Sequence, residues 1–212
     1  MLKVNEIFFS IQGESSFAGR PCLFIRLTGC NLRCNYCDTP DAYEKGETMD
    51  IPQILERLEG YRCRLVEVTG GEPLLQDETP ALIKALLGRD YTVLVESNGT
   101  QDIGRLPAGT RVIMDIKCPG SGAADATDWN NLSRLTDDDE VKFVLSGKDD
   151  YDWARGVIHK HGLEKKTQVL FSAVQGRLEP ATLAGWVLED QLNVRLQVQL
   201  HKILWPGDAK GR

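Results

Sequence analysis

Three cysteines stand close together in the stretch CNLRCNYCDT (30–39): Cys30, Cys34 and Cys37, spaced C-x3-C-x2-C, with no fourth cysteine near them. Structural zinc takes four ligands, commonly as two pairs. The remaining candidates, Cys22, Cys63, Cys118, His159, His161 and His201, form no second pair. Iron–sulfur clusters prefer thiolates, and a 4Fe-4S cube needs one ligand per iron. Three thiolates leave one iron open to a small molecule, which is the logic of a catalytic metal site. The cysteine spacing therefore predicts a cluster that does chemistry.

Other reactive groups recur at the ends of apolar runs. TGGEP (69–73) offers two glycines, which let backbone approach a ligand closely, beside a Glu that can accept from an ammonium. ESNGT (96–100) and DIKCP (115–119) end two further runs with polar side chains, and Arg26 lies within the run CLFIRLT (22–28).

The elements that must position these groups are legible as an alternation. Short β-rich runs fall at 22–28, 65–69, 91–96, 111–117, 140–145, 167–171 and 194–200. Between them, Ile51, Ile54, Leu55 and Leu58 have helical spacing, as do Leu82, Ile83 and Leu86. Trp153 with Val157, and Leu183 with Trp186 and Val187, continue the pattern, and Gly88 and Gly162 stand where C′ glycines end helices. Alternation of this kind implies a parallel sheet with right-handed crossovers. Roughly six βα units fall short of the eight in a closed barrel of about 250 residues. The expected fold is α/β, an open, partial (β/α)6-type barrel, with its ligands at the carboxyl ends of the strands.

Composition bounds the rest. The 212 residues, 42% hydrophobic and 26% charged, suit one domain with a sizeable core. No apolar run approaches the ~18 residues of a spanning helix, so no membrane is expected. The start MLKVNEIFFSIQGE lacks a secretory h-region, which predicts a cytoplasmic address with reduced thiols. Twenty-five basic against thirty-one acidic residues leave a net charge of −6 with no basic tract, which excludes an electrostatic footprint for nucleic acid. The acidic DDDE (137–140) reads as a solvated turn before the run VKFVL, and Cys22, Cys63 and Cys118 as buried spectators.

The cysteine motif resembles that of the radical S-adenosylmethionine superfamily. The longer stretch EIFFSIQGESSFAGRPCLFIRLTGCNLRCNYCDT (6–39), with LHKILW (200–205), is similar to the 7-carboxy-7-deazaguanine synthase family. Relatives with a longer insertion among the cysteines exist, and that insertion is absent here; PGDAKGR at the C-terminus runs past the matched region. The resemblance implies a single radical SAM core over 1–212, with 1–29 contributing to substrate binding. Its implied cofactors are a 4Fe-4S cluster on Cys30, Cys34 and Cys37, S-adenosylmethionine, and Mg2+ with Thr39 as ligand. The implied reaction turns 6-carboxy-5,6,7,8-tetrahydropterin into 7-carboxy-7-deazaguanine and ammonia, on the pathway to queuosine, with an external one-electron donor and a homodimeric protein. Gly70, Gly71 and Glu72 are then expected at the methionine amino group. Ser97, Asn98, Asp115 and Lys117 belong at its carboxylate or the ribose, Ser172 and Val174 at the ribose and adenine, and Tyr36 and Asp38 beside the cofactor. For the pterin, Ile11, Gln12, Gly13, Glu14 and Thr69 are implied, with Arg26 and His201 on its carboxylate. Two other readings make different demands. A glycyl-radical activating enzyme shares the fold and cofactor but needs an open groove for a protein loop, and IQGE, CDT and Arg26 argue against it. A zinc module predicts colourless protein holding one zinc per chain.

Overall fold

The computed structural model describes residues 1–206, so the last residues of PGDAKGR lie outside the described part. Nine strands form one sheet: β1 (Leu2–Ile11), β2 (Pro21–Leu27), β3 (Glu47–Met49), β4 (Leu65–Gly70), β5 (Thr92–Ser97), β6 (Arg111–Asp115), β7 (Glu140–Leu145), β8 (Gln168–Ala173) and β9 (Arg195–Gln197). Their order is β3-β1-β2-β4-β5-β6-β7-β8-β9. The strands from β2 to β9 run parallel, while β1 pairs antiparallel with both β2 and β3. The sheet is not closed, as the sequence predicts for an open barrel.

Helices α1 (Ile51–Leu58), α2 (Thr79–Leu87), α3 (Lys148–His161) and α4 (Pro180–Glu189) match the four helical patterns of the sequence. Their apolar stripes cover the outer face of the sheet in two clusters. One joins Ile54, Leu58, Leu82 and Leu86 to Leu23, Ile25, Val66 and Val93. The other joins Tyr151, Ile158 and Leu183 to Val141, Phe143 and Phe171. Each fully buried side chain of this kind stabilises the fold by about 1.5–3 kcal/mol. Because side chains alternate along a strand, burying one face against helices turns the other face, with Arg26, Thr69, Asp115 and Lys142, toward the inside of the curved sheet.

Several expectations need correction. The crossovers β5–β6 and β6–β7 carry only 3-10 turns, because NGTQDIGRLPAGT and the 116–139 segment interrupt apolar periodicity with Gly, Pro and Asp. Gly88 caps α2 in right-handed geometry (φ −66°), and the left-handed residue there is Asp90, whereas Gly162 has the expected φ of +61°. Of DDDE, Asp137 and Asp138 are solvated, but Asp139 and Glu140 are buried: Asp139 accepts from Val112 N at 2.7 Å, and Glu140 from Ser16 N at 3.0 Å. The run 194–200 is strand only to Gln197, its last residue paired with β8. Leu200 N turns instead to the Gly13 carbonyl at 2.9 Å and opens a short helix, α5 (Leu200–Leu204). His201 therefore sits on a helix, not at a strand end.

Candidate active site

The cysteine loop is pinned from several sides. Tyr36 donates its hydroxyl to the Val144 carbonyl at 3.0 Å, Asn35 N reaches the Ser121 carbonyl at 2.9 Å, and Glu72 N reaches the Gly29 carbonyl at 2.7 Å. Gly71 is required by closeness: a Cβ there would overlap the Gly29 carbonyl and lie 2.6 Å from Cys30 Cβ. The TGGEP turn thus rests directly on the first cysteine. Burial pushes the Cys30 and Cys34 thiols up from their ordinary value, and thiolates in such a place call for positive charge of the kind a metal centre brings. Among the described residues no three ligating side chains converge as a single ion requires. Three separate corners of an iron–sulfur cube make no such demand.

A cavity of about 470 Å³ opens from this loop along the inner face of the sheet. Cys30, Cys34, Cys37, Tyr36, Asp38 and Thr39 line it from the loop, and Gly70, Gly71, Ser97, Asn98, Asp115, Lys117 and Val174 from the strand ends. Ile11, Gln12, Gly13, Glu14, Arg26, Thr69 and His201 line it too. Two expected residues do not reach it. Glu72 is fully buried, and its oxygens accept from Leu74 N (3.0 Å), the Ser97 hydroxyl (3.1 Å) and Asn98 N (2.6 Å). It organises the TGGEP turn and the end of β5 instead of facing an ammonium, and burial pushes its carboxyl up to about 7. Ser172 is buried just behind the wall, where its hydroxyl meets no hydrogen-bond partner among the described residues; the same holds for Asp115 Oδ1. Orphaned polar atoms beside a cavity suit a cofactor that presents hydroxyls and amines, and the three-thiolate loop suits a cluster.

Two ends of the chain close over the cavity. Gln12 N and O bond Arg20 O and Gly19 N across the loop after β1, and Ser15 N donates to Gln197 at 2.8 Å. From α5, Gln199 donates to Glu14 at 2.7 Å, and Lys202 bonds Gln199 and pairs with half-exposed Asp38 at 3.2 Å. A Cβ on Gly13 would collide with the His201 ring, so glycine lets α5 dock on IQGE. Burial lowers the His201 pKa, which leaves a neutral imidazole with one N–H to donate. The loop after β1 and α5 thus narrow the cavity from one side.

Sequence reasoning named Glu14, Asp115 and Lys117 but missed Lys142, Glu96 and Glu67, which line the cavity with them. Buried Lys142 contacts Glu14 (2.9 Å), Glu96 and Asp115 (3.4 Å), and Asp115 also holds Lys117 at 2.8 Å. Burial opposes the Lys142 charge, but its three carboxylates more than offset that and hold the ammonium well above its usual range. Glu67 accepts from Gln12 Nε2 at 2.5 Å, and burial, with Glu96 nearby, pushes its carboxyl up to about 8. A charged residue amid LVEVT, VLVES and VKFVL was the available signal, since burying a charge inside a parallel strand is costly unless something offsets it. Lys142→Met is expected to cost about 3–5 kcal/mol of stability, because three carboxylates lose their common cation. Denaturant unfolding of the purified variant checks it, and an unchanged midpoint would show that the network carries little.

A family model described as the radical SAM superfamily matches residues 24–120. A protein of Chlorobaculum tepidum named 7-carboxy-7-deazaguanine synthase is 45% identical over 99% of this chain and 97% of its own length. One from Koribacter versatilis with the same name is 41% identical over 99% and 100%. The crystal structure of QueE from Escherichia coli superimposes with a TM-score of 0.78 over 94% of each chain, at 24% identity, and shows the shared fold. Cysteine loop, cavity and full-length likeness agree, and the chain belongs to the 7-carboxy-7-deazaguanine synthase family of the radical SAM superfamily.

Proposed function

We propose that this chain converts 6-carboxy-5,6,7,8-tetrahydropterin to 7-carboxy-7-deazaguanine and ammonia, as a lyase of queuosine biosynthesis. The observation that carries the reading is the meeting of Cys30, Cys34 and Cys37 with Gln12, Arg26 and His201 on one cavity. Its cofactors are a 4Fe-4S cluster, S-adenosylmethionine and magnesium, and it draws one electron from an external donor. When bound, cluster and S-adenosylmethionine supply a 5′-deoxyadenosyl radical that takes the C6 hydrogen and later recovers it.

The chain's own share is holding and shielding. Cys30, Cys34 and Cys37 hold three irons, with Tyr36 and Asp38 beside them. Gly70 and Gly71 present close backbone to the methionine amino group, and Glu72 keeps that turn in place from behind. Ser97, Asn98, Asp115 and Lys117 serve the methionyl carboxylate and ribose, with Ser172 and Val174 toward ribose and adenine. Ile11, Gln12, Gly13, Glu14 and Thr69 meet the pterin, while Arg26 and His201 hold its carboxylate. The reading treats 1–212 as one radical SAM core whose first 29 residues bring the substrate segment, acting as a homodimer in the cytoplasm. No helix among the described residues is long and apolar enough to cross a membrane.

Anaerobic reconstitution followed by incubation with the carboxytetrahydropterin, reductant and S-adenosylmethionine tests the activity; absence of 7-carboxy-7-deazaguanine would overturn it. Magnesium has a separate test. Thr39 lies two residues past the last cysteine, lines the cavity, and its hydroxyl meets no partner among the described residues. An uncommitted hydroxyl with substrate oxygens and waters suits this hard cation. Thr39→Ala is expected to keep the cluster and S-adenosylmethionine binding while losing most of the stimulation of turnover by magnesium. Undiminished stimulation would put the ion elsewhere.

A further inference from the structure

Glu67 is an unusual occupant of its position. It lies in the middle of β4 at 4% exposure, between Phe24 on β2 and Leu94 on β5 in register. Burying a carboxyl costs several kcal/mol relative to an apolar group, and no lysine or arginine pairs with Glu67 among the described residues. Its one hydrogen bond goes to Gln12 through Oε2, and Oε1 meets no donor of the described chain. The fold alone would be served by an apolar residue, as at Leu94 beside it. Yet Glu67 lines the cavity, so its open oxygen is available to a ligand.

The surroundings say which part of a ligand arrives there. Phe8 and Phe24 are stacked, with ring centroids 4.8 Å apart and planes 10° from parallel, and both line the cavity next to Glu67. An aromatic pair beside one acceptor suits the edge of a flat, nitrogen-rich ring. A carboxylate finds its cation in Arg26, two register pairs nearer the strand ends and opposite Thr69. The substrate's acid group is thereby directed to the mouth and its ring to the floor.

We propose that Glu67 is a specificity-determining residue that accepts hydrogen bonds from the amino and ring N–H edge of an aminopyrimidinone, an inference that rests on the pterin reading above. The partner is defined by its chemistry: adjacent N–H donors on one edge of a planar heterocycle. Replacing the amino group with an oxo group turns a donor into an acceptor and sets two oxygens against each other.

The test compares the carboxytetrahydropterin with its 2-oxo analogue on the reconstituted protein. It measures kcat/KM for both, and dissociation constants in the presence of S-adenosylmethionine. The parent is expected to prefer the amino compound by about a hundredfold or more, since a site built for one hydrogen-bond pattern rejects the analogue that leaves it unpaired. Glu67→Gln is nearly isosteric and can turn its amide N–H toward the oxo group, so the preference should shrink by about tenfold or more. Glu67→Leu matches the neighbouring Leu94, and it should weaken binding of the amino compound while flattening the preference. Both variants keeping the parent's ratio would overturn the inference alone. A parent that binds neither compound would overturn the substrate reading, and this inference with it.

Discussion

Cys34→Ala is expected to lose the brown 4Fe-4S chromophore and to bring product formation down to background. Cys30→Ala and Cys37→Ala should do the same. The expectation follows from ligand arithmetic: a cube already short of one protein ligand cannot spare a second. The site has no substitute to offer, because the other cysteines are committed elsewhere. Cys22 and Cys118 are wholly buried, and the Cys63 thiol donates to the Pro21 carbonyl at 3.2 Å within the outer core. Cys63→Ala therefore makes the control that should retain the cluster. Iron and sulfide assay with absorbance spectra checks both arms. A full cluster in Cys34→Ala would sink the three-thiolate assignment, and one zinc per chain in colourless parent protein would bring the zinc module forward.

The parts of this site that were legible in sequence were those whose residue types are rare or whose backbone is special. Three cysteines at fixed spacing admit few explanations, and two adjacent glycines after a strand signal close approach. Glu72 shows where that reasoning runs out. A carboxylate next to a ligand-facing turn looks available, but whether it points outward or folds back under the turn depends on Ser97 and Asn98, twenty-five and more residues away. Lys142 shows the opposite failure. It was hidden within an apolar run, although its burial among Glu14, Glu96 and Asp115 follows from the period-two alternation that turns residues 140, 142 and 144 to one face. Local pattern gave the strand and pairing across four elements gave the charge its meaning. β1 was absent from the expected strands because VNEIFFSI does not alternate polar with apolar residues, and its ladder to β2 also shifts register between Val4 and Glu6. His201 was assigned to a strand end because LQVQL alternates well, yet β9 pairs with β8 only as far as Gln197, and Leu200 N turns to the Gly13 carbonyl.

Arg26→Lys is expected to fail nearly as badly as Arg26→Ala, by on the order of a hundredfold or more in kcat/KM, since charge-assisted hydrogen bonds contribute about 1.5–3 kcal/mol each. The geometry explains why a lysine does not suffice. Arg26 and Glu6 are cross-strand partners, and Arg26 Nε donates to Glu6 Oε1 at 2.8 Å with both side chains only 16% exposed. That contact uses one edge of the guanidinium and fixes its plane, leaving the Nη donors for a ligand carboxylate on the cavity side. A lysine ammonium is a point charge that can serve Glu6 or the substrate, but it cannot hold a planar fork to both. Glu6→Gln should then give an intermediate loss, roughly tenfold, because the fork remains while its plane is held less firmly. Cluster content should be unchanged in all three variants, since Arg26 is not a ligand. Cleavage of S-adenosylmethionine without substrate should persist in Arg26→Ala, uncoupled from product. If Arg26→Ala forms 7-carboxy-7-deazaguanine at the parent rate, the carboxylate is held elsewhere and the substrate pose is wrong. If Arg26→Lys alone recovers the parent rate, charge without geometry is enough and the fork argument fails.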